Sequence, residues 1–86
     1  MRFRFDVLVS LKDGLLDPQG KAVQQALPVL GWDNVTDVRV GKYIDLVVDA
    51  DDSGIALDQV RDMADRFLAN PVIEEVQIEL RKEASG

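Results

Sequence analysis

Hydrophobic and polar residues alternate over the first eleven positions of the chain. Most of the residues at the other positions are charged or polar. The apolar side chains occupy every second position and are Phe3, Phe5, Val7, Val9 and Leu11. Successive side chains of a strand point to opposite faces, so a period of two places one set on a buried face. The pattern predicts a first strand with its odd-numbered residues in the core.

A capped helix is predicted to follow, beginning after residue 17. Asp17 is a good N-cap because its carboxylate accepts hydrogen bonds from free N–H groups of the first turn, and Pro18 fits the first helical position. Pro28 predicts a kink or early fraying, and Gly31 predicts a left-handed end. The apolar stripe expected to be buried against the sheet consists of Ala22, Val23, Ala26, Leu27 and Leu30.

Two strand patterns lie between residues 35 and 48. A three-residue connection at residues 41–43 pairs Val40 with Ile44 and keeps the apolar residues of both strands on one face. A two-residue turn would place the two apolar sets on opposite faces. The register therefore favours a hairpin with a three-residue loop or a glycine bulge. One long strand bent at Gly41 is the competing interpretation.

The second helix is predicted over residues 55–68. Residues 49–54 resemble the first half of a calcium-binding loop, but Val60 stands where calcium needs a glutamate, so a solvated turn with Asp52 or Ser53 as the helix cap is favoured. Asn70 and Pro71 are a stop signal. The stripe expected in the core consists of Leu57, Val60, Ala64, Phe67 and Leu68.

Alternation of Val76, Ile78 and Leu80 with glutamate and glutamine predicts the last strand. The predicted order is β-α-β-β-α-β. An antiparallel sheet with two helices on one face buries both helical stripes, so the fold class is an α+β two-layer sandwich. We expect a single domain over residues 1–81 and a polar C-terminal tail over residues 82–86.

Composition excludes several classes of function. The net charge of −6 disfavours nucleic acid and anionic membrane surfaces as partners. The absence of cysteine and histidine removes thiolate catalysis, the usual general base and the common zinc sites. No segment is long and apolar enough to span a bilayer, and residues 1–4 lack the apolar region of a signal peptide. We therefore expect a cytoplasmic chain with no catalytic residues and no metal site.

Two groups of residues allow more than one interpretation. Gln19, Gly20 and Lys21 at a helix start suit an anion, but Asp17 already places a carboxylate there, which favours a structural role with Gly20 allowing close backbone approach. Arg39 and Lys42 at the predicted hairpin fit either a solvated sheet face or a docking surface for a partner. Tyr43 and Trp32 suit either a core edge or an interface.

Three segments of the chain resemble the recurring motifs of the PurS family. These are LDPQGKAV at residues 16–23, VRVGKYI at residues 38–44 and ANPVIE at residues 69–74. They occur in the order and at the spacing of the family, over nearly the whole chain. Pro28 departs from the family pattern within the first helix.

The resemblance implies a non-catalytic small subunit of phosphoribosylformylglycinamidine (FGAM) synthase in purine biosynthesis. It implies a PurS-like fold and a homodimer or homotetramer that joins a large synthetase subunit to a glutaminase subunit. ATP, magnesium and glutamine are then used by the partner subunits, and this chain binds no cofactor. The motif positions, candidates for partner contact, are Asp17, Gln19, Gly20, Lys21, Arg39, Gly41, Lys42, Tyr43, Asn70 and Pro71.

Other functions have less support in the sequence. A stand-alone regulatory domain that binds a small ligand is the main alternative and rests on fold analogy alone. An RNA-binding domain conflicts with the acidic charge and the few aromatic residues. An independent enzyme lacks a recognisable set of acid, base and nucleophile.

Overall fold

Three strands build the sheet in the computed structural model, which describes residues 1–84. They are β1 (Arg2–Leu11), β2 (Lys42–Asp49) and β3 (Glu74–Ala84). All pairings are antiparallel, and β1 lies in the middle of the order β2-β1-β3. The α+β class and the antiparallel sheet with two helices are confirmed, and the element order agrees with the prediction apart from residues 35–40.

The helices begin where the sequence predicts. α1 spans Pro18–Ala26 with Asp17 as its N-cap, and α2 spans Ser53–Met63 with Asp52 as its N-cap. Pro28 ends α1 early, as predicted, because a short 3₁₀ turn (Pro28–Leu30) replaces its last turn. Gly31 closes that turn in the left-handed region at φ 107°, a conformation that glycine adopts without strain.

The core lies between the inner face of β1 and the buried face of α2. Every second residue of β1 from Phe3 to Val9 is buried, which confirms the period of two. α2 contributes Ala56 and Val60, one turn apart, and Val48 closes the core from β2. The central strand is therefore the element that most of the buried side chains share.

The stripe of α1 is not buried in the single chain, so that prediction was wrong. Val23 is 42% exposed and Leu30 is 69% exposed, and Gly20 is the one buried residue of the helix. α1 packs alongside residues 36–40 and not across the sheet. Gln24 Nε2 donates to the Thr36 carbonyl oxygen at 3.1 Å, so the polar side of the helix, and not the apolar stripe, makes this contact.

The hairpin predicted over residues 35–48 is not formed. Residues 32–41 are irregular, and β2 begins directly after Gly41 and pairs with β1 from Val9 to Arg2. A single long strand is not formed either. The backbone of this segment is engaged by side chains near α1: the Val40 N–H donates to the Asp17 carboxylate at 2.9 Å. The Val40 N–H is therefore not available to pair with a neighbouring strand.

α2 is followed by a π-helical turn (Ala64–Leu68), which the sequence pattern did not predict. The buried positions Val60 and Ala64 are confirmed, and Leu57 and Leu68 are partly buried against the core. Phe67 is 87% exposed, so its placement in the core was wrong. The wider turn changes which side chains face the sheet.

β3 extends to Ala84 and pairs with β1 as far as Arg2. Three residues that were assigned to the polar tail, 82–84, therefore continue the strand. A β-bulge interrupts the pairing, because Phe5 faces Leu80 whereas Arg4 faces Lys82. The last two residues of the predicted tail lie outside the described residues.

The molecule is thin and elongated. Its extents are 51 × 29 × 14 Å, and its radius of gyration is 16.5 Å. A compact domain of this length has a radius of gyration of about 12 Å. The single chain is therefore less compact than a typical domain of its length.

The first prediction compares two Phe→Ala substitutions. Phe5 is fully buried, so Phe5→Ala is expected to lower the free energy of unfolding by about 3 to 5 kcal/mol. Phe67→Ala, at an exposed position, should change it by no more than about 0.5 kcal/mol. Urea denaturation of both variants measures this difference. Equal losses would contradict the assignment of β1 as the core strand.

Candidate functional site

Residues of the three sequence motifs meet at one end of the sheet. β1 ends there, β2 and β3 begin there, and α1 starts beside them. A shallow pocket of about 360 Å³ opens at this end and is lined in part by Ser10, Gln19, Gly41, Lys42 and Glu74. We call this region the motif end. The three motifs, at residues 16–23, 38–44 and 69–74, are therefore brought together although they are far apart in sequence. The Tyr43 hydroxyl is engaged elsewhere, on the outer face of the sheet.

Asp17 links the first motif to the second. One oxygen of its carboxylate accepts from the Gly20 N–H at 2.9 Å, and the other accepts from the Val40 N–H at 2.9 Å. The Gly20 N–H, then the Val40 N–H, hold the pKa of the Asp17 carboxyl below its ordinary value of 3.8, because hydrogen bonds from N–H groups favour the ionised form. Asp17 is thus a helix cap and a tether at once.

Gly20 and Gly41 are glycines because backbone atoms lie against them. A Cβ on Gly20 would overlap the Val38 carbonyl oxygen, and a Cβ on Gly41 would lie 2.5 Å from the Val9 carbonyl oxygen. Neither residue has a positive φ. The structural role expected of Gly20 is therefore confirmed, and close approach, not backbone conformation, selects both glycines.

Arg39 and Lys42 both donate to main-chain carbonyl oxygens. The Arg39 guanidinium donates to the Leu11 carbonyl oxygen at 2.6 Å and to that of Lys12 at 3.3 Å. Lys42 Nζ donates to the Leu68 carbonyl oxygen at 2.9 Å. These hydrogen bonds fasten the end of β1 and the end of the π-helical turn to the second motif. Both cations therefore have intramolecular partners in the single chain.

Asn70 organises the turn between the π-helical turn and β3. Its side-chain oxygen accepts from the Val72 N–H at 3.1 Å, and its own N–H donates to the Glu74 carboxylate at 2.7 Å. An asparagine that accepts from the N–H two residues ahead stabilises a turn locally. Pro71 follows on the exposed side of the same turn. The third motif therefore determines the path of the chain from the π-helical turn into β3.

Gln19 and Lys21 differ from the other motif residues. Both side chains are exposed on the first turn of α1. Neither side chain makes a hydrogen bond with any residue from 1 to 81, the part of the chain whose side chains the structure describes. Gln19 and Lys21 are thus the exposed polar side chains of the first motif, whereas Asp17 is partly buried.

Tyr43 belongs to a polar cluster on the outer face of the sheet, opposite the helices. Its hydroxyl donates to the Asp6 carboxylate at 2.6 Å, and Arg81 donates to the same carboxylate and to the Tyr43 oxygen. Arg4 pairs with Asp45 at 3.2 Å. We call these five residues the outer-face cluster.

The sheet register explains why the outer-face cluster forms. Asp6 lies opposite Asp45 on one neighbouring strand and opposite Glu79 on the other. Like charges placed opposite each other destabilise a sheet, so cations beside them are required. Arg81 occupies the unpaired position of the β-bulge and supplies one. Sequence reasoning missed this cluster because neither the register nor the bulge is visible in the alternation.

Hydrogen bonds within the outer-face cluster shift the pKa values of Asp6 and Tyr43 away from neutral pH. Arg81, then Tyr43, lowers the pKa of the Asp6 carboxyl, and the hydrogen bond to Asp6 raises the pKa of the Tyr43 hydroxyl. Asp6 is thus ionised and Tyr43 protonated near neutral pH. Neither shift produces the acid or base poised near neutral pH that proton transfer needs. Within the described residues, no group of three metal-ligating side chains is brought together.

The chain is similar to known proteins over most of its length. Residues 4–82 match the family model described as PurS, phosphoribosylformylglycinamidine (FGAM) synthase. The subunit PurS of FGAM synthase from Bacillus subtilis is 41% identical over 80 residues, which cover 93% of this chain and 94% of that protein. The corresponding subunit of Synechocystis is 46% identical over 86% of this chain and 74% of that protein.

Two solved structures are similar to the fold described above. The crystal structure of Methanocaldococcus jannaschii PurS superposes with a TM-score of 0.84 at 34% identity, covering 95% of this chain and 99% of that one. A chain in the structure of PurLQS from Thermotoga maritima superposes with a TM-score of 0.87 at 29% identity, covering 93% and 98%. The similarity in both comparisons extends over nearly the whole chain.

The second prediction concerns Asp17 and pH. The pKa of Asp17 is lower in the folded than in the unfolded chain, so the ionised carboxylate stabilises the fold above pH 3.8, and this contribution is lost as the pH falls through the lower folded-state pKa. Asp17→Ala should therefore lower the melting temperature near pH 7, and the difference from the unsubstituted chain should shrink on acidification below pH 3.8.

Asp52→Ala is the matched control for Asp17→Ala. Asp52 also caps a helix, but among the described residues its carboxylate accepts from the Ile55 N–H alone. We expect a smaller loss of melting temperature near pH 7 for Asp52→Ala, because one local hydrogen bond is removed and no distant segment is released. A loss for Asp17→Ala that is no larger than for Asp52→Ala would contradict the tether to Val40.

Proposed function

Because the chain belongs to the PurS family of FGAM synthase subunits, we propose that it is the assembly subunit of this synthase. In this role it joins the ATP-dependent synthetase subunit to the glutaminase subunit, so that ammonia from glutamine converts formylglycinamide ribonucleotide to FGAM. The observation that carries the proposal is the superposition on a chain of the PurLQS structure over 93% of this chain.

The chemistry of the chain supports a non-catalytic role. The sequence has no histidine and no cysteine. The carboxylates of Asp6 and Asp17 have lowered pKa values and accept hydrogen bonds that maintain the fold. A general acid at neutral pH needs a raised carboxyl pKa, which is the opposite shift. The chain therefore suits a partner of enzymes better than an enzyme.

We propose that this chain binds no cofactor itself, and that ATP, magnesium and glutamine are used by the two partner subunits. A cytoplasmic location fits a subunit of a biosynthetic enzyme. Along residues 1–84, no helix reaches the length and apolar character that crossing a membrane requires.

The exposed stripe of α1 supports self-association as a dimer or tetramer. Val23 and Leu30 are exposed on the helix and the turn that follows it, with Trp32 56% exposed close behind. Apolar residues at helical spacing are normally buried, and a patch left in solvent marks an interaction surface. We propose that a second copy of the chain covers this stripe.

The motif end supports contact with another subunit through α1. Asp17, Arg39 and Lys42 are engaged within the chain and maintain its shape. Gln19 and Lys21 point into solvent from the same helix turn that Asp17 caps. We therefore propose that Gln19 and Lys21 contact a partner, and that the engaged motif residues hold α1 in position for that contact.

The alternative function, a stand-alone domain that binds a small ligand, is not favoured. The pocket at the motif end is shallow and open, and its charged residues Asp17, Lys42 and Glu74 all make hydrogen bonds within the chain. Ligand sites usually combine a concave apolar wall with polar groups free to bind the ligand.

The third prediction tests the proposed function directly. FGAM formation by the purified synthetase and glutaminase subunits should depend on this chain when glutamine is the nitrogen donor. It should not depend on the chain when ammonia is added, because ammonia bypasses the glutaminase. Product formation is measured with and without the chain in both conditions. Equal glutamine-driven rates with and without the chain would contradict an assembly role.

The fourth prediction tests self-association through α1. Val23→Asp places a carboxylate within the apolar stripe, and an unpaired charge in a covered interface is strongly unfavourable. We expect the dissociation constant of the oligomer to rise by at least about tenfold, measured by sedimentation equilibrium. Gln25→Asp introduces the same charge on the polar face of the same helix and should leave the constant unchanged. Equal effects of the two substitutions would rule out the stripe as the interface.

A further inference from the structure

The π-helical turn after α2 determines which aromatic side chain faces solvent. In a continued α-helix, Phe67 would follow the buried Val60 by two turns and lie on the same face. The Ala69 N–H instead donates to the Ala64 carbonyl oxygen at 3.0 Å, five residues back. This wider turn rotates Phe67 away from the sheet, and Leu68 takes its place against the core. Phe67 is left 87% exposed.

This turn is held by the motif end. Lys42 Nζ donates to the Leu68 carbonyl oxygen at 2.9 Å, which ties the last residue of the turn to the start of β2. Leu68 and Ala69 pack against the core cluster, so the backbone on either side of the hydrogen bond is fixed. The exposed position of Phe67 is thus determined by the structure around it. π-Helical turns within helices are rare and occur frequently at functional sites.

The charges around Phe67 indicate what kind of partner it fits. Asp62 pairs with Arg66 at 3.2 Å, whereas Asp65 makes no ion pair with the described side chains, those of residues 1–81. The chain as a whole has a net charge of −6. A partner with basic residues around an apolar pocket would match both the aromatic ring and the carboxylate.

We propose that Phe67 is a docking anchor for a different subunit of the synthase, inserting into an apolar pocket rimmed by basic side chains. This inference rests on the proposed function, since it takes the partner to be one of the two enzymes that the chain joins. Aromatic residues at the centre of an interface often supply much of the binding energy, and acidic residues at its edge act mainly on association rate and salt dependence.

Phe67→Ser is the test. Because Phe67 contributes little to the core, the melting temperature and the self-association constant should be unchanged within error. Binding to one of the two purified partner subunits should weaken by at least about tenfold, measured by titration calorimetry. Phe67→Leu keeps an apolar side chain and should retain most of that binding.

A second pair of substitutions tests the role of Asp65, the carboxylate near Phe67. Asp65→Lys should weaken the same interaction at low salt, and the difference should diminish as salt is raised. Asp51→Lys makes the same charge change in the exposed turn before α2 and should have no comparable effect. If both substitutions weakened binding equally, the effect would come from the net charge of the chain. The proposed contact between Asp65 and basic residues of the partner would then be wrong.

The outcomes separate the two proposals. Binding of Phe67→Ser to both partner subunits within about twofold of the unsubstituted chain would overturn the anchor and leave the assembly role standing. A loss confined to self-association would also overturn it, because the occupant would then be a second copy. An unsubstituted chain that binds neither subunit would contradict the proposed function itself, and the anchor with it.

Discussion

Burial of the inner face of β1 under α2 is the constraint on which the rest of the structure depends. Phe5, Val7 and Val9 are almost completely buried, and Val60 meets them from the helix. A chain of 86 residues has little apolar surface to spare, so one central strand and one helix carry most of the core. Every other element is positioned relative to this pair, and elements that do not reach it, α1 above all, remain exposed.

The motif residues act chiefly through hydrogen bonds that join distant segments of the same chain. Asp17 joins α1 to the segment before β2, Arg39 fixes the end of β1, and Lys42 fixes the π-helical turn. Such residues can be strongly selected without touching a partner, because the direction of an exposed element depends on them. Gln19, Lys21 and Phe67 are the complementary class, since they contribute little to the fold of the single chain.

Local signals predicted the elements well and their packing less well. The alternation of β1, the caps at Asp17 and Asp52 and the end at Gly31 depend on neighbours in sequence, and all are confirmed. The burial of α1 and the hairpin at Gly41 were inferred from the rule that apolar stripes find a partner within the same chain. That rule fails for residues 36–40, because the side chains of Asp17 and Gln24 already bind the backbone of this segment.

The candidate site shows the same division. The motif positions were identified by resemblance, but the sequence does not show that Lys42 reaches the Leu68 carbonyl oxygen or that Gly41 lies against Val9, because these contacts join distant segments. Phe67 could not be placed correctly since helical periodicity assumes an unbroken α-helix. The outer-face cluster depends on a bulge beside Arg81 that no periodic pattern reveals.

The elongated shape has a consequence for how stable the chain is in solution. Its accessible surface is 6216 Å², against about 5,100 Å² for a compact protein of the same mass. Apolar area left in water contributes nothing to folding until another chain covers it. Covering it stabilises only the folded form, so mass action links folding to assembly. Where another chain covers this area, the melting temperature becomes a function of the concentration of that chain.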